Sequence, residues 1–185
     1  QIQATFAPLS SPDNLPDCLV LLDGLIQPVR LQISGIAISA PGTIDTDQSI
    51  IYYRGTLPFL HEFMVRDYFA KTYGLPATAL NDGKAAVLAE LATGNLQGCQ
   101  NAAALVLGTG LGDGLVLNGQ LYQGSHFQAS ELTFLLPPKL AEIEIEEMRG
   151  VEVSAVGLIH RLAEVLGLAD KTDGRAVFQA LSQKD

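Results

Sequence analysis

The chain has 185 residues, of which 48% are hydrophobic and 17% are charged, and its formal net charge is −9 at pH 7. This composition argues against a disordered chain, and the acidic balance argues against a nucleic-acid surface, which needs clustered Lys and Arg. The charge does not exclude phosphate ligands, because backbone N–H groups bind phosphate without basic side chains.

The cysteines and the hydropathy indicate a cytoplasmic protein. Cys18 and Cys99 lie far apart and have no metal-ligand spacing, so we expect reduced thiols rather than a disulfide. We find no apolar run long enough to span a membrane and no signal peptide. The sequence begins at Gln1 in a strand-like run, and we interpret it as a fragment of a longer protein.

The first half of the chain predicts alternating helices and strands. The expected elements are a weak helix over 15–25, a buried strand over 31–39, a helix with an apolar face from Leu60 to Tyr68, a strand over 77–80 and a helix over 83–93. This order is typical of an α/β protein. Ala40-Pro41-Gly42 ends the first strand, either as an ordinary turn or as a turn that approaches a ligand at a strand's carboxyl end.

The second half contains a glycine-rich motif from Gly108 to Gly114. Strands are predicted over 102–107, 115–117 and 120–122, and Asn118-Gly119 is a strong hairpin signal. The motif therefore lies between antiparallel strands, whereas a dinucleotide fold needs a helix there and a Walker loop needs Gly-Lys-Ser/Thr. A glycine turn between hairpin strands is typical of actin-like ATPases. Helices over 153–166 and from Asp173 onward are predicted to be core, without chemistry.

Four motifs in the correct order resemble the ROK family (repressors, open reading frames and sugar kinases). Residues 35–45 resemble its GIGISxPGxVD segment, and residues 74–86 resemble GLPVxxxNDANxAA. Residues 108–114 resemble GTGIGGG, and residues 118–124 resemble NGxLYxG. The match is good over residues 33–131 and continues weakly to Phe178.

The resemblance implies an actin-like ATPase (ribonuclease H-like) α/β fold with two domains around a cleft. Residues 1–80 would be part of the small N-terminal domain, and residues 81–185 part of the larger C-terminal domain. The family's first phosphate motif would precede Gln1, and its adenosine segment would follow Asp185, so terminal parts are expected to be missing. The implied partners are a sugar, ATP with Mg²⁺, and a second copy in a homodimer. Nucleic acid and membrane are not expected.

The resemblance implies that Asp82 is the general base. A sugar hydroxyl must lose its proton as the γ-phosphoryl group transfers, and a carboxylate at a helix N-terminus can accept that proton. The alternative is that Asp82 is only an N-cap. Asn81 would hydrogen-bond sugar hydroxyls through its amide, or it is only a turn residue.

Other site residues follow from the resemblance. Glu131 would contact the sugar. Phe134 stands where the family usually has His, while Ser130 and Thr133 replace two glycines. Because the cysteine cluster near position 145 is absent and Phe134 cannot bind metal, no structural zinc is expected. Further sugar-binding candidates are Gly42, Thr56 and Glu152, and Glu152 is equally a charged surface residue.

The glycine motif would hold ATP. Backbone N–H groups of Gly108, Thr109, Gly110 and Gly112 would face the phosphates. Asp113 would hold waters of Mg²⁺ or point into solvent. The predicted function is phosphorylation of a hexose or hexose glycoside hydroxyl, as in a glucokinase or β-glucoside kinase. The alternatives are a ROK-type transcriptional regulator, which carries an additional helix-turn-helix, and a non-catalytic sugar-binding protein.

Overall fold

The computed structural model describes residues 5–52, 56–108, 110–132 and 154–183. The chain packs as two units, Gln1–Asn81 and Asp82–Asp185. The division therefore falls between the two residues of the Asn-Asp pair. Each unit mixes helices and strands, as the sequence predicts.

The first unit contains two small sheets and two α-helices. Its elements are α1 (Leu15–Ile26), β1 (Ile36–Ala40), β2 (Thr43–Asp45), β3 (Ile50–Tyr52), β4 (Phe63–Met64), α2 (Val65–Tyr73) and β5 (Ala77–Asn81), with 3-10 helices at Gln27–Gln32 and Pro58–Leu60. Strands β1 and β5 pair in parallel, and β2, β3 and β4 form an antiparallel sheet. In the parallel pair Ala40 lies opposite Asn81, so the carboxyl ends of both strands meet at one edge.

Helix α2 contributes one buried face to the core of this unit. Val65, Phe69 and Tyr73 recur every four residues and are fully or almost fully buried, as expected for one side of an α-helix. The Tyr73 hydroxyl donates a hydrogen bond to Asp23 Oδ1 at 2.9 Å. Burial and that carboxylate raise the pKa of Tyr73 to about 12. Gly74, at φ 66°, ends the helix in the left-handed conformation that glycine tolerates.

Two predictions for the first unit are wrong in detail. The strand predicted over 31–39 begins at Ile36, because Leu31 and Gln32 belong to the 3-10 helix that starts beside Pro28. Proline at the start of a helix fixes φ in the helical range. The helix predicted from Leu60 begins at Val65, and Phe63–Met64 is a strand. Strands of two or three residues are too short to show a period of two.

The second unit places a long helix against a three-stranded antiparallel sheet. Its elements are α3 (Asp82–Thr93), β6 (Ala102–Leu107), β7 (Leu111–Leu117), β8 (Gln120–Leu121), α4 (Ala155–Leu166) and α5 (Gly174–Ser182). Strand β7 pairs with both β6 and β8. Asn118 and Gly119 have φ of 53° and 74°, which confirms the predicted two-residue hairpin turn.

The glycine motif is only partly a loop. Strand β7 begins at Leu111, so Gly112, Asp113 and Gly114 are strand residues. A β-carbon at Gly83 would lie 2.5 Å from Asp113 N, and one at Gly114 would overlap the Val87 side chain. Helix α3 can therefore approach β7 closely only because both positions are glycine.

The last two helices begin with side-chain caps. Ser154 Oγ accepts a hydrogen bond from Gly157 N, and Asp173 Oδ1 accepts one from Ala176 N. On α4 the predicted core position Ala163 is fully buried, whereas Val156 is exposed and not core. Cys18 and Cys99 are free. No helix within the described residues is long and apolar enough to cross a membrane.

Candidate active site

Asp82 occupies the first turn of α3 with an exposed side chain. Its Oδ1 accepts a hydrogen bond from Gly83 N at 2.9 Å. An N-cap carboxylate usually accepts from a residue two or three positions further along, so this contact is not the usual capping bond. The carboxylate lies at the positive end of a 12-residue helix, where negative charge is stabilised.

In the first unit, Asn81 and Gly42 lie together at the carboxyl ends of β5 and β1. Asn81 Nδ2 donates to the Gly42 carbonyl at 3.0 Å. Gly42 has φ 104°, a conformation open essentially to glycine alone. The Pro41-Gly42 turn thus stands at a strand end, as the sequence predicts. Thr56 is exposed and lies just before the 3-10 helix Pro58–Leu60, and the hydrogen bonds described do not join it to this pair.

The turn between β6 and β7 has free space around its glycines. Among the residues that the structure describes, a β-carbon at Gly110 would meet nothing within 4 Å, and one at Gly108 would meet only the Gly110 carbonyl oxygen at 3.9 Å. Gly108 N donates to that carbonyl at 3.0 Å, and the Gly108 carbonyl accepts from Ala155 N at 3.1 Å. The Gly108 N–H is therefore already bonded, and the turn is tied to the start of α4.

Gly112 differs from the glycines of the turn. It pairs with Val106 in the sheet, and a β-carbon there would lie 3.5 Å from Gly83 Cα. That distance is an ordinary van der Waals contact, so Gly112 is a strand residue beside α3 rather than part of the open turn. Thr109, the remaining predicted phosphate contact, lies outside the described residues, as do Glu152, Thr133 and Phe134.

Three charged side chains, Lys84, Asp113 and Glu131, lie close together beside the first turn of α3. Lys84 is 2% exposed, and its Nζ donates to the Phe127 carbonyl at 2.7 Å. The same Nζ lies 3.4 Å from Glu131 Oε1. Asp113 is 5% exposed, and its Oδ2 accepts a hydrogen bond from Leu132 N at 2.7 Å. The prediction that Asp113 points into solvent is therefore wrong.

The surroundings of Glu131 oppose its ionisation. Burial raises the pKa of the Glu131 carboxyl, Lys84 lowers it, and Asp113 and Asp82 raise it, so that the pKa lies above its ordinary value. The lysine is the one cation among these neighbours. Glu131 and Asp82 thus belong to one electrostatic group in the second unit.

Lys84 and Asp113 are site residues whose role the motifs did not predict. Lys84 lies between Gly83 and Ala85, and a lysine on a helix usually marks a solvated face. The spacing between Lys84 and Val87 was the available signal that Lys84 is buried. Residues three apart share a helix face, and the apolar Val87 indicates that this face is turned inward. Both are buried in the structure. For Asp113 no signal was available, because its partner is a backbone N–H 19 residues away.

The glycine turn has open space at Gly108 and Gly110 among the described residues, which suits close approach of an anion. Among the residues that the structure describes, no group of three or more His, Cys, Asp or Glu side chains is placed to hold a metal ion.

Together, the fold and the carboxylate-bearing helix beside a glycine hairpin are those of an actin-like α/β protein. The structure resembles the Lmo2764 protein from Listeria monocytogenes, a putative N-acetylmannosamine kinase, with a TM-score of 0.80 and 24% identity over 95% of this chain and 61% of that one. A ROK family protein from Streptococcus pneumoniae in complex with sucrose matches with a TM-score of 0.71 and 30% identity, over 96% of this chain and 58% of that one. The predicted fold class is confirmed.

The ROK family model matches residues 12–142, and the chain belongs to the ROK family. A curated relative, a β-glucoside kinase from Listeria monocytogenes, is 33% identical over 103 residues, which are 56% of this chain and 35% of that protein. The chain thus spans about a third of that relative, and between half and two thirds of the two solved structures. Its relatives include sugar kinases, and the predicted family is confirmed.

Proposed function

We propose that this protein acts in the ATP-dependent phosphorylation of a hydroxyl on a hexose or hexose glycoside. The observation that carries the proposal is the exposed Asp82 carboxylate on the first turn of α3, a helix that packs directly on the strand following the glycine turn. Phosphoryl transfer needs little covalent chemistry from the protein beyond a positioned base and a cradle for the phosphates. We assign these two roles to Asp82 and to the glycine turn of the second unit.

Asp82 accepts the proton of the attacking hydroxyl in this proposal. A side chain with that role needs an open approach to the substrate and an ionised carboxylate. Asp82 is exposed, and the N-terminus of α3 favours its negative charge. Its Oδ1 is oriented by Gly83 N, which fixes the direction of the carboxylate without covering it.

Asn81 and Glu131 are proposed to bind the sugar hydroxyls. The Asn81 amide nitrogen is held by the Gly42 carbonyl, so the amide has a set orientation and its oxygen can accept from a hydroxyl. An ionised Glu131 accepts hydrogen bonds from two neighbouring hydroxyls. Gly42, whose carbonyl holds the Asn81 amide, is proposed as a further sugar contact, together with Thr56 and Glu152.

The glycine turn is proposed to receive the phosphates of the nucleotide. Gly110 offers open space, and Thr109 and Gly112 complete the proposed set. Gly108 would contribute the space left by its missing side chain and not its N–H, because that N–H is bonded to the Gly110 carbonyl. ATP bound there supplies the phosphoryl group, and Mg²⁺ neutralises the charge that develops on it.

The name of the β-glucoside kinase relative favours a hexose glycoside as acceptor. That relative is 33% identical over 103 residues, and the family match covers residues 12–142. The acceptor is tested by measuring ATP consumption of the full-length protein with glucose, other hexoses and aryl or alkyl β-glucosides.

Turnover with one of these sugars supports the kinase and identifies the acceptor. Absence of turnover together with thermal stabilisation by a sugar contradicts it and favours a sugar-responsive regulator or a non-catalytic sugar-binding protein. The mass of the full-length protein in solution tests the predicted homodimer separately.

A further inference from the structure

The buried lysine on the first turn of α3 needs an explanation that the proposed chemistry does not supply. A cation near a helix N-terminus is opposed by the helix dipole, and a buried ammonium loses its hydration. Lys84 is nevertheless 2% exposed. Its position is sustained by the acceptors it reaches, the Phe127 carbonyl and the Glu131 carboxylate.

Those acceptors belong to a tightly turned stretch of chain, here called the Glu131 segment (residues 123–132). Three of its residues have left-handed backbone, namely Gly124, Phe127 and Ser130, with φ of 68°, 58° and 69°. Non-glycine residues in this conformation are strained and persist only where their surroundings hold them. Lys84 bonds the carbonyl of one of the two strained non-glycine residues.

The segment is fastened from two sides. From α3, Lys84 holds Phe127 and Glu131. From β7, Asp113 accepts the N–H of Leu132, immediately after Glu131. Gly83 in turn packs against Asp113, so both fastening side chains stand on elements in direct contact. This arrangement leaves the Glu131 carboxylate little freedom relative to the helix that carries Asp82.

We propose that Lys84 is a positioning residue of the sugar site, which fastens the Glu131 segment to the first turn of α3 and so sets the place of the Glu131 carboxylate relative to Asp82. The inference rests on the proposed function for its link to sugar. Its structural part, the anchoring of the segment, can be measured without any substrate.

The charge of Lys84 also favours the ionised form of Glu131. Lys84 and Asp82 from α3 and Asp113 from β7 face that carboxyl, and Lys84 alone lowers its pKa. Removal of the ammonium therefore raises the pKa of Glu131. The carboxylate that accepts the sugar hydroxyls is then lost at a higher pH, and the acid limb of kcat/KM moves upward in pH.

The test uses Lys84→Met and Glu131→Gln in the full-length protein, singly and together. Lys171→Met is the matched control, because Lys171 and Glu164 form an ion pair at 2.8 Å whose side chains are 50% and 58% exposed. We expect Lys84→Met to speed amide hydrogen exchange across residues 123–132 while exchange in α5 is unchanged. We expect its KM for the sugar to rise about tenfold or more, with a smaller change in kcat, whereas the control leaves both unchanged.

The pH profile separates positioning from a general loss of stability. Lys84→Met should move the acid limb of kcat/KM to higher pH, and adding it to Glu131→Gln should move that limb no further. A folded Lys84→Met protein with wild-type exchange in residues 123–132 would overturn the anchoring. Faster exchange with an unchanged sugar KM and pH limb would overturn the role in the sugar site.

The test still decides the proposal if Lys84→Met does not fold or if the wild-type protein has no activity. If Lys84→Met does not fold, the double variant is compared with Glu131→Gln, since removing both charges avoids an unpaired buried one. The anchoring then predicts faster exchange in the double variant, and equal exchange contradicts it. If the wild-type protein turns over no sugar, the proposed function fails, and with it the sugar role of Lys84, while the exchange data still decide the anchoring.

Discussion

The motif from Gly108 to Gly114 has an open end around Gly108 and Gly110 and a packed end at Gly114, and the glycines there have opposite surroundings. Around Gly110 no atom of the described part of the chain lies within 4 Å of the place where a β-carbon would stand. At Gly114 that place is filled by Val87 of α3. One end leaves room for something outside the chain, whereas the other brings a helix and a strand of the same unit together. A single glycine-rich motif thus serves two physical requirements.

The packed end shows how the site is held. Gly83 and Gly114 let α3 lie directly against β7, and α3 carries both Asp82 and Lys84. The open end is where we propose that the phosphates bind, because exposed glycine backbone is accessible to an anion. Substitutions at Gly83, Gly110 and Ser130, with their controls, test this account.

The largest effect is expected at the packed end. Gly83→Ala places a methyl group 2.5 Å and 2.7 Å from the backbone N and O of Asp113, and a backbone cannot move aside as a flexible side chain can. We expect a loss of about 3 kcal/mol in the free energy of unfolding, measured by urea denaturation.

Gly24→Ala is the control for this substitution. Gly24 lies inside α1, and its β-carbon would meet nothing within 4 Å. Alanine there should stabilise the protein by about 0.5–1 kcal/mol, because glycine is a poor helix former. Equal stabilities of the two variants would contradict the packing argument.

At the open end, Gly110→Val should leave the fold intact and weaken nucleotide binding. The described residues place no atom within 4 Å of the added β-carbon, so the thermal midpoint should stay close to that of the wild type. It would occupy the space proposed for the phosphates, and we expect the KM for ATP to rise about tenfold or more. The KM for the sugar serves as the internal control. A stable variant with an unchanged KM for ATP counts against the phosphate loop.

The smallest effect is expected where the backbone calls for a glycine and the chain has a serine. Ser130 has φ 69°, and its Oγ is buried without a hydrogen-bond partner among the described atoms. The strain costs about 1–2 kcal/mol, while glycine adds about 0.4–1 kcal/mol of unfolded-state entropy. Ser130→Gly should therefore stabilise the protein by about 0.5 kcal/mol, read from its thermal midpoint.

Ser125 provides the control in the same segment. It is exposed and is not among the described residues with positive φ, so Ser125→Gly should cost a few tenths of a kcal/mol, about the entropy term alone. If Ser130→Gly loses as much stability as Ser125→Gly, the left-handed backbone of Ser130 is not strained in the way proposed.

The sequence predicted the long regular elements because their signals are local. Apolar patterning predicts helix α3 and strands β5 and β6, and Gly94 marks the end of α3. The Asn118-Gly119 turn is predicted because both residues tolerate positive φ. The short strands β2, β3 and β4 were missed, because two or three residues cannot display a period. The strand at Leu111 was missed because glycine is a weak strand former.

For the site, the motifs identified positions but not their contacts. The hydrogen bond from Asn81 to Gly42 joins residues 39 apart, and the contact of Lys84 with Phe127 joins residues 43 apart. Such pairs depend on how helices and strands pack, which no local pattern encodes. The bonded N–H of Gly108 likewise depends on the geometry of the closed hairpin.

The central claim is that Asp82 accepts the proton of the sugar hydroxyl, and Asp82→Asn tests it most directly. Asparagine keeps the size of the side chain and cannot act as the base. Asp67→Asn is the matched control, because Asp67 is also an exposed carboxylate in the first turn of a helix. The measurement is kcat for ATP-dependent phosphorylation by the full-length protein, with sugar affinity determined by calorimetry. We expect Asp82→Asn to lower kcat by about 10²–10⁴ with sugar affinity little changed and the control fully active, whereas turnover at the wild-type rate would contradict the account.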